Sequence, residues 1–258
     1  MRITHVKRTL FTFIAASALL FVTIDWIWPV DLTPKPGSRI VLAENGTPLR
    51  AFADSNGVWR YPITLDEVSP LYLEALIQYE DRHFYEHWGV NPLSLLRAAA
   101  QAFRYGKIVS GGSTLTMQVA RLRYPEHRTL LGKLKEIIRA SQLEWHYSKA
   151  DILTYYINHA PFGGTIEGVQ AASLTYLGYG AKDLTHAQAA LLAVLPQAPT
   201  RYRPDRDPTS AQQARDKVIK RLADFQVWTQ DVALDAMQEQ VNDTSNYYLR
   251  IAPILSRR

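Results

Sequence analysis

Ten consecutive residues, Glu80-Asp81-Arg82-His83-Phe84-Tyr85-Glu86-His87-Trp88-Gly89, include six side chains that can carry charge. The neighbouring carboxylates Glu80 and Asp81 disfavour each other's ionisation. Partial burial would raise a carboxyl pKa further, which is how a glutamate becomes a useful general base near neutral pH. A solvated helix end with local ion pairs accounts for the same residues equally well. His83-Phe84-Tyr85-Glu86-His87 also matches the H-x-x-E-H zinc pattern. That reading needs a helix through His87 and a third ligand, and Gly89 with Asn91-Pro92 stops or bends any helix there.

The next constellation is Gly111-Gly112-Ser113-Thr114-Leu115-Thr116-Met117-Gln118-Val119-Ala120-Arg121, a glycine pair feeding a capped helix start. Free backbone N–H groups and the helix dipole at such a start favour an anion, for example a diphosphate. Thr114, Gln118 and Arg121 fall on one helical face, and Leu115, Val119 and Leu122 form the apolar stripe. An ordinary amphipathic helix after a glycine-rich loop has the same look. Over Leu130 to Tyr147 the spacing predicts that Leu134, Ile137, Ile138 and Ser141 face inward. Lys133, Glu136 and Arg139 then lie on another side, where surface ion pairing would equally explain them. Lys149 to Asn158 carries Tyr155, Tyr156 and Asn158, and Pro161-Phe162-Gly163-Gly164-Thr165 follows as a turn where backbone could approach a sugar.

The elements that must position these residues read as helices. Apolar residues recur at 3.6-residue spacing over Leu71 to Tyr79, Leu93 to Phe103, Leu115 to Leu122, Leu130 to Leu143 and Ile152 to Ile157. Further helices are expected over Ile166 to Tyr176, Thr185 to Leu195 and Pro208 to Phe225, with one more ending near Gln240. Arg39 to Asp54 reads as a small hairpin around Asn45-Gly46. The fold class is mainly α, and 258 residues suit one main domain.

At the amino terminus Arg2, Lys7 and Arg8 precede an apolar run from Leu10 to Ile24, with Trp26 and Trp28 after it. Positive-inside charge, a span and an aromatic belt are expected of a signal anchor. The 22 positions from Thr9 to Val30 are close to the roughly 20 residues needed to cross the hydrocarbon layer. A cleaved signal peptide would have an apolar core of similar length, but no A-x-A site follows this one. The formal charge is +5 and the pI about 9.3, which suits nucleic acid, anionic headgroups or a phosphorylated substrate without choosing between them. There is no cysteine, which excludes disulfides, iron–sulfur clusters and cysteine-ligated zinc.

Taken together, these blocks resemble the family 51 peptidoglycan glycosyltransferases, the polymerase module of class A penicillin-binding proteins and of monofunctional glycosyltransferases. The likeness runs in order from Ala75 to Leu222. Glu80, Asp81, Phe84, His87 and Gly89 meet the family's E-D-x-x-F-x-x-H-x-G motif. Gly111 to Thr116 with Gln118 meet G-G-S-T-L-T-Q-Q. The R-K-x-x-E motif keeps Lys133 and Glu136 but has Gly132 in place of Arg. The K-x-x-I-L-E-x-Y-L-N motif keeps Lys149, Ile152, Leu153, Tyr156 and Asn158 but has Thr154 in place of Glu. Met117 replaces a Gln, and Arg121 stands where Lys is common.

The resemblance implies a lysozyme-like head and a smaller membrane-proximal jaw flanking a cleft, preceded by one transmembrane helix. Its domain plan is a cytoplasmic tail over 1–8, an anchor over 9–30, a linker and hairpin over 31–68, the glycosyltransferase domain over 69–227 and a C-terminal extension or truncated linker over 228–258. It implies polymerisation of lipid II into glycan strands with release of undecaprenyl diphosphate. Glu80 and Glu136 would be the catalytic residues, and Asp81, His87, Ser113, Thr114, Gln118, Arg121, Lys133, Lys149 and Asn158 would bind substrate. The only cofactor it leaves room for is a divalent cation at the diphosphate. The implied partners are lipid II, the growing strand, the inner membrane and other wall-synthesis proteins, with no nucleic acid, and the catalytic domain would lie in the periplasm. With no S-x-x-K in the sequence, no transpeptidase activity is expected. A glycan-cleaving enzyme on the same scaffold and a non-catalytic recruiting scaffold are the rival classes.

Overall fold

The computed structural model describes residues 2–42, 48–106, 112–127 and 129–241. Asn45-Gly46 and Gly111 lie outside the described residues, as does most of the segment 228–258. α1 (Arg2–Ile27) is followed by an extended stretch and an antiparallel pair, β1 (Arg39–Leu42) with β2 (Pro48–Phe52), in the place expected for the hairpin. Then come α2 (Pro70–Glu80), α3 (Pro92–Tyr105), α4 (Leu115–Arg123), α5 (Leu130–His146) and α6 (Lys149–His159). A second small antiparallel pair, β3 (Pro161–Gly163) with β4 (Ile166–Glu167), precedes α7 (Val169–Tyr176). α8 (His186–Val194), α9 (Pro208–Asp224) and α10 (Gln230–Gln238) complete the described chain. The protein is mainly helical.

The helices begin where short polar side chains can satisfy free backbone N–H groups. Thr114 accepts from Met117 N at the start of α4, Thr129 from Gly132 N at α5 and Ser148 from Asp151 N at α6. Proline at the first turn starts α2, α3 and α9. α8 is alanine- and leucine-rich all round and is buried from Ala187 to Val194 except for Gln188. That makes it the central strut against which α2 and α9 pack, with α10 alongside. α4 packs on α5 and α6. Two groups of helices result, α2 with α8, α9 and α10, and α4 with α5 and α6. The carboxyl end of α2 lies where they meet.

The inward face of α5 differs from the expected one. Leu134 is 52% exposed and Leu130 92%, whereas Arg139 and Gln142 are buried. Part of the buried side of this helix meets polar backbone after α1, so polar residues serve it beside Ala140 and Leu143, and Leu130, Leu131 and Leu134 face outward. On α3, Leu93, Leu96 and Phe103 are also exposed. Trp228 is buried and donates its indole N–H to Glu74 at 2.7 Å, so residues 228–241 pack on the main body. Among the described residues no helix is long and apolar enough to cross a membrane. The expected span over 9–30 falls partly on residues whose side chains are not described, 9, 10, 13 and 14.

Candidate active site

Glu80 ends α2, and its carboxylate is held by two neutral amides: Gln118 Nε2 donates to Oε2 at 2.8 Å, and Gln197 Nε2 to Oε1 at 2.7 Å. Burial raises the pKa of this carboxyl above the ordinary value, and Asp81 adds to the rise. The bonds from Gln118 and Gln197 and the charge of Arg221 offset only part of it. The fully buried Tyr156 hydroxyl contacts Gln118 Oε1 at 3.4 Å, which turns the amide's donor toward Glu80. Gln197 sits on a 3-10 turn, Leu195–Gln197, directly after α8.

Glu136 has the opposite surroundings. Lys133 Nζ lies 2.7 Å from its Oε1, and Arg121 Nε lies 3.3 Å from its Oε2. Lys133 also donates to Ser113 Oγ at 2.7 Å, which ties the loop before α4 to α5. α4 joins the two carboxylates. Gln118 reaches Glu80 and Arg121 reaches Glu136, and residues three apart on a helix are neighbours on its surface. The result is a carboxyl of raised pKa and a group of cations linked through one face of α4.

The remaining sequence-predicted residues are engaged with the protein itself. Asp81 accepts from Leu115 N at 2.8 Å and from His87 Nε2 at 2.9 Å, so it fixes the first turn of α4 to the end of α2. Thr114 is buried, donating to Gly89 O while capping α4. Lys149 Nζ donates to His87 O at 2.7 Å and pairs with Glu144 at 2.6 Å, and Glu144 also accepts from Thr116. Asn158 bonds both backbone groups of Ile63, on the side of α6 away from Tyr156. Glu80, Ser113, Gln118, Arg121, Lys133 and Glu136 are therefore brought together as the candidate site, and Asp81, His87, Thr114, Lys149 and Asn158 brace the surrounding elements.

Residues 82–88 form turns, with His87 on Asp81 and His83 on Glu86 at 2.8 Å, so the helical zinc pattern does not form. Among the described residues no three His, Asp or Glu side chains converge as a metal site. The carboxylate of Glu136 already faces two cations. These residues do not fit a resident divalent cation. Gly132 has a steric reason to replace Arg, because a Cβ there would lie 2.1 Å from His127 O. Gln197, within Leu195-Pro196-Gln197-Ala198-Pro199, has no role in the sequence reading above. A polar side chain between two prolines, straight after a buried helix, was the available signal.

Comparison with known proteins supplies the family. The transglycosylase family model matches residues 45–223. The chain is 51% identical over 249 residues to penicillin-binding protein 1C of Escherichia coli (strain K12), which covers 95% of this chain and 32% of that protein. It is 38% identical over 164 residues to penicillin-binding protein 1A of Aquifex aeolicus (strain VF5), covering 63% of this chain and 23% of that protein. The chain thus spans a third or less of the length of these relatives. A crystal structure of penicillin-binding protein 1A from Haemophilus influenzae aligns with a TM-score of 0.45 at 17% identity, covering 81% of this chain and 21% of that one. With the model match running through the elements that carry Glu80, Gln118, Lys133 and Glu136, the chain belongs to the transglycosylase family.

Proposed function

We propose that this chain is a peptidoglycan glycosyltransferase that polymerises lipid II. The observation that carries the reading is Glu80, a carboxyl made basic by burial and aimed by two amides, set beside a cation group fit for a leaving diphosphate.

In this reading the carboxylate of Glu80 takes the proton from the 4-hydroxyl of the acceptor's N-acetylglucosamine as that oxygen attacks C1 of the donor's N-acetylmuramic acid. The C1–O bond to undecaprenyl diphosphate breaks from the opposite face, so configuration inverts. Negative charge grows on the departing diphosphate. Lys133, Arg121 and Ser113 stabilise it more in the transition state than in the ground state. Glu136 holds Lys133 and Arg121 in place rather than handling a proton.

In this reading the two helix groups that meet at the end of α2 are the lysozyme-like head and smaller jaw, with the substrate cleft between them. The sequence over 9–30 is the anchor in this reading, with the cleft on the periplasmic side of the bacterial inner membrane. Tethering enzyme and lipid-linked substrate to one surface raises their effective concentration. The outward leucines of α3 and α5 would meet that surface, and the growing strand and other wall-synthesis proteins would be the partners. The test is polymerisation of labelled lipid II by the detergent-purified chain. Polymer from the wild type and none from Glu80→Gln supports the reading, equal polymer from both removes Glu80 as the base, and none from either overturns the transferase.

A further inference from the structure

The chain just beyond α1 is fastened by the same two helices that carry the cation group. Arg139, one turn after Glu136 on α5, donates from Nη1 to the carbonyl oxygens of Trp28 at 2.6 Å and Pro29 at 2.9 Å. Its guanidinium lies 4.2 Å from the centre of the Trp28 ring and 4.5 Å from that of Tyr124. Gln142, fully buried, donates to Trp28 O and to Asp25 Oδ1, both at 3.0 Å, and His146 Nε2 meets Asp25 Oδ2 at 2.9 Å. Arg139, Gln142 and His146 thus face residues 25–29 along one side of α5.

The contact continues past the proline. Arg123, two residues after Arg121, pairs with Asp31 at 2.7 Å, and Tyr124 Oη accepts from Asp31 N at 2.6 Å. Tyr147 Oη accepts from Leu32 N at 3.1 Å. A tether that only raised local concentration would need none of this, since a loose linker does that. Burying an arginine is costly unless its donors and charge are met, and here backbone carbonyls and two aromatic faces meet them. The investment makes sense if the angle between α1 and the cleft matters.

We infer that Arg139 is a positioning residue that sets the height and tilt of the Lys133–Glu136 group relative to the membrane plane, where the diphosphate of a lipid-linked substrate lies. The inference rests on the glycosyltransferase reading and its anchor. Substrate presented by a bilayer has its diphosphate at fixed depth, so a cleft free to swing would find it less often. Substrate in solution imposes no such depth.

The test compares the full chain with Arg139→Met and Arg139→Lys in two formats. One is vesicles carrying the long-chain lipid-linked disaccharide, and the other is detergent with a short-chain soluble analogue. Arg139→Met should lose about tenfold or more in kcat/KM on vesicles, mostly through KM, and stay within about twofold in detergent. Arg139→Lys keeps the charge without the forked donor and should fall between. An equal loss in both formats, or no loss in either, overturns the inference, whereas wild type inactive in both sinks the transferase reading instead. Should Arg139→Met not fold, Arg139→Lys carries the same comparison. The chain lacks cysteine, so a single dye at Tyr85→Cys can report distance to labelled headgroups. That distance should shift or broaden with the arginine substitutions, and an unchanged distance overturns the inference without reference to activity.

Discussion

Glu80 and Glu136 are the same residue type placed on opposite terms. Glu80 receives two neutral amide donors, and burial drives its pKa up. Glu136 is gripped by Lys133 and Arg121. A carboxylate held by two cations fixes their positions, and one among neutral amides in a desolvated site is pushed toward its protonated form. In the proposed reading the difference separates proton transfer from charge stabilisation, with one α4 side chain on each side of it.

The contrast can be broken most directly by exchanging the two carboxyls for amides. Glu80→Gln should lower kcat by roughly 10² to 10⁴, the range of a lost general base. Should Glu136→Gln cost as much in the same polymerisation assay, the division of roles fails. Lys133→Met should cost about 10² in kcat with a smaller change in KM, because its charge acts on the leaving group. Glu136→Gln should cost roughly 10- to 100-fold, through misplacement of Lys133 and Arg121.

Asp81→Asn removes a carboxylate that bonds Leu115 N and His87. It should cost about 1–3 kcal/mol of stability, read by thermal or denaturant unfolding. The smallest effect sharpens the picture of Glu80 itself. Because its folded-state pKa is raised, base-dependent activity appears as pH rises through that pKa, and below it the neutral acid cannot accept a proton. Gln197→Ala removes a donor that favours the ionised form, so the acidic limb of kcat/KM against pH should move to higher pH. A shift to lower pH would contradict the role given to this donor. The linked stability term has the same origin: it is fully present below the unfolded-state pKa and is lost as pH rises through the folded one.

Most of the helical frame was legible, since apolar spacing with Ser, Thr and Pro at the starts marks α2 to α10 to within a few residues. The orientation of α5 was not. Periodicity identifies stripes but not which one meets the core, and here the stripe holding Arg139 and Gln142 does because its neighbour is polar backbone. Glu80, Gln118, Lys133 and Glu136 were singled out by the family motifs they meet, since by spacing alone local ion pairs account for Lys133 and Glu136 equally well, and the structure brings them to the two sides of α4. Asp81, Thr114, Lys149 and Asn158 have side chains just as polar, and only their partners assign them to bracing. Gln197 could not be paired with Glu80 from spacing, because the two are 117 positions apart.

That separation has a consequence for the nascent chain. Gln118 leaves the ribosome soon after Glu80, whereas Gln197 follows Gln118 by 79 positions, about 4 to 16 s at ordinary elongation rates. Through that interval a partly synthesised molecule can join α2 to α4 but leaves one carboxylate oxygen of Glu80 to water. The environment that raises the pKa of Glu80 is therefore completed only once α8 and the turn after it have emerged.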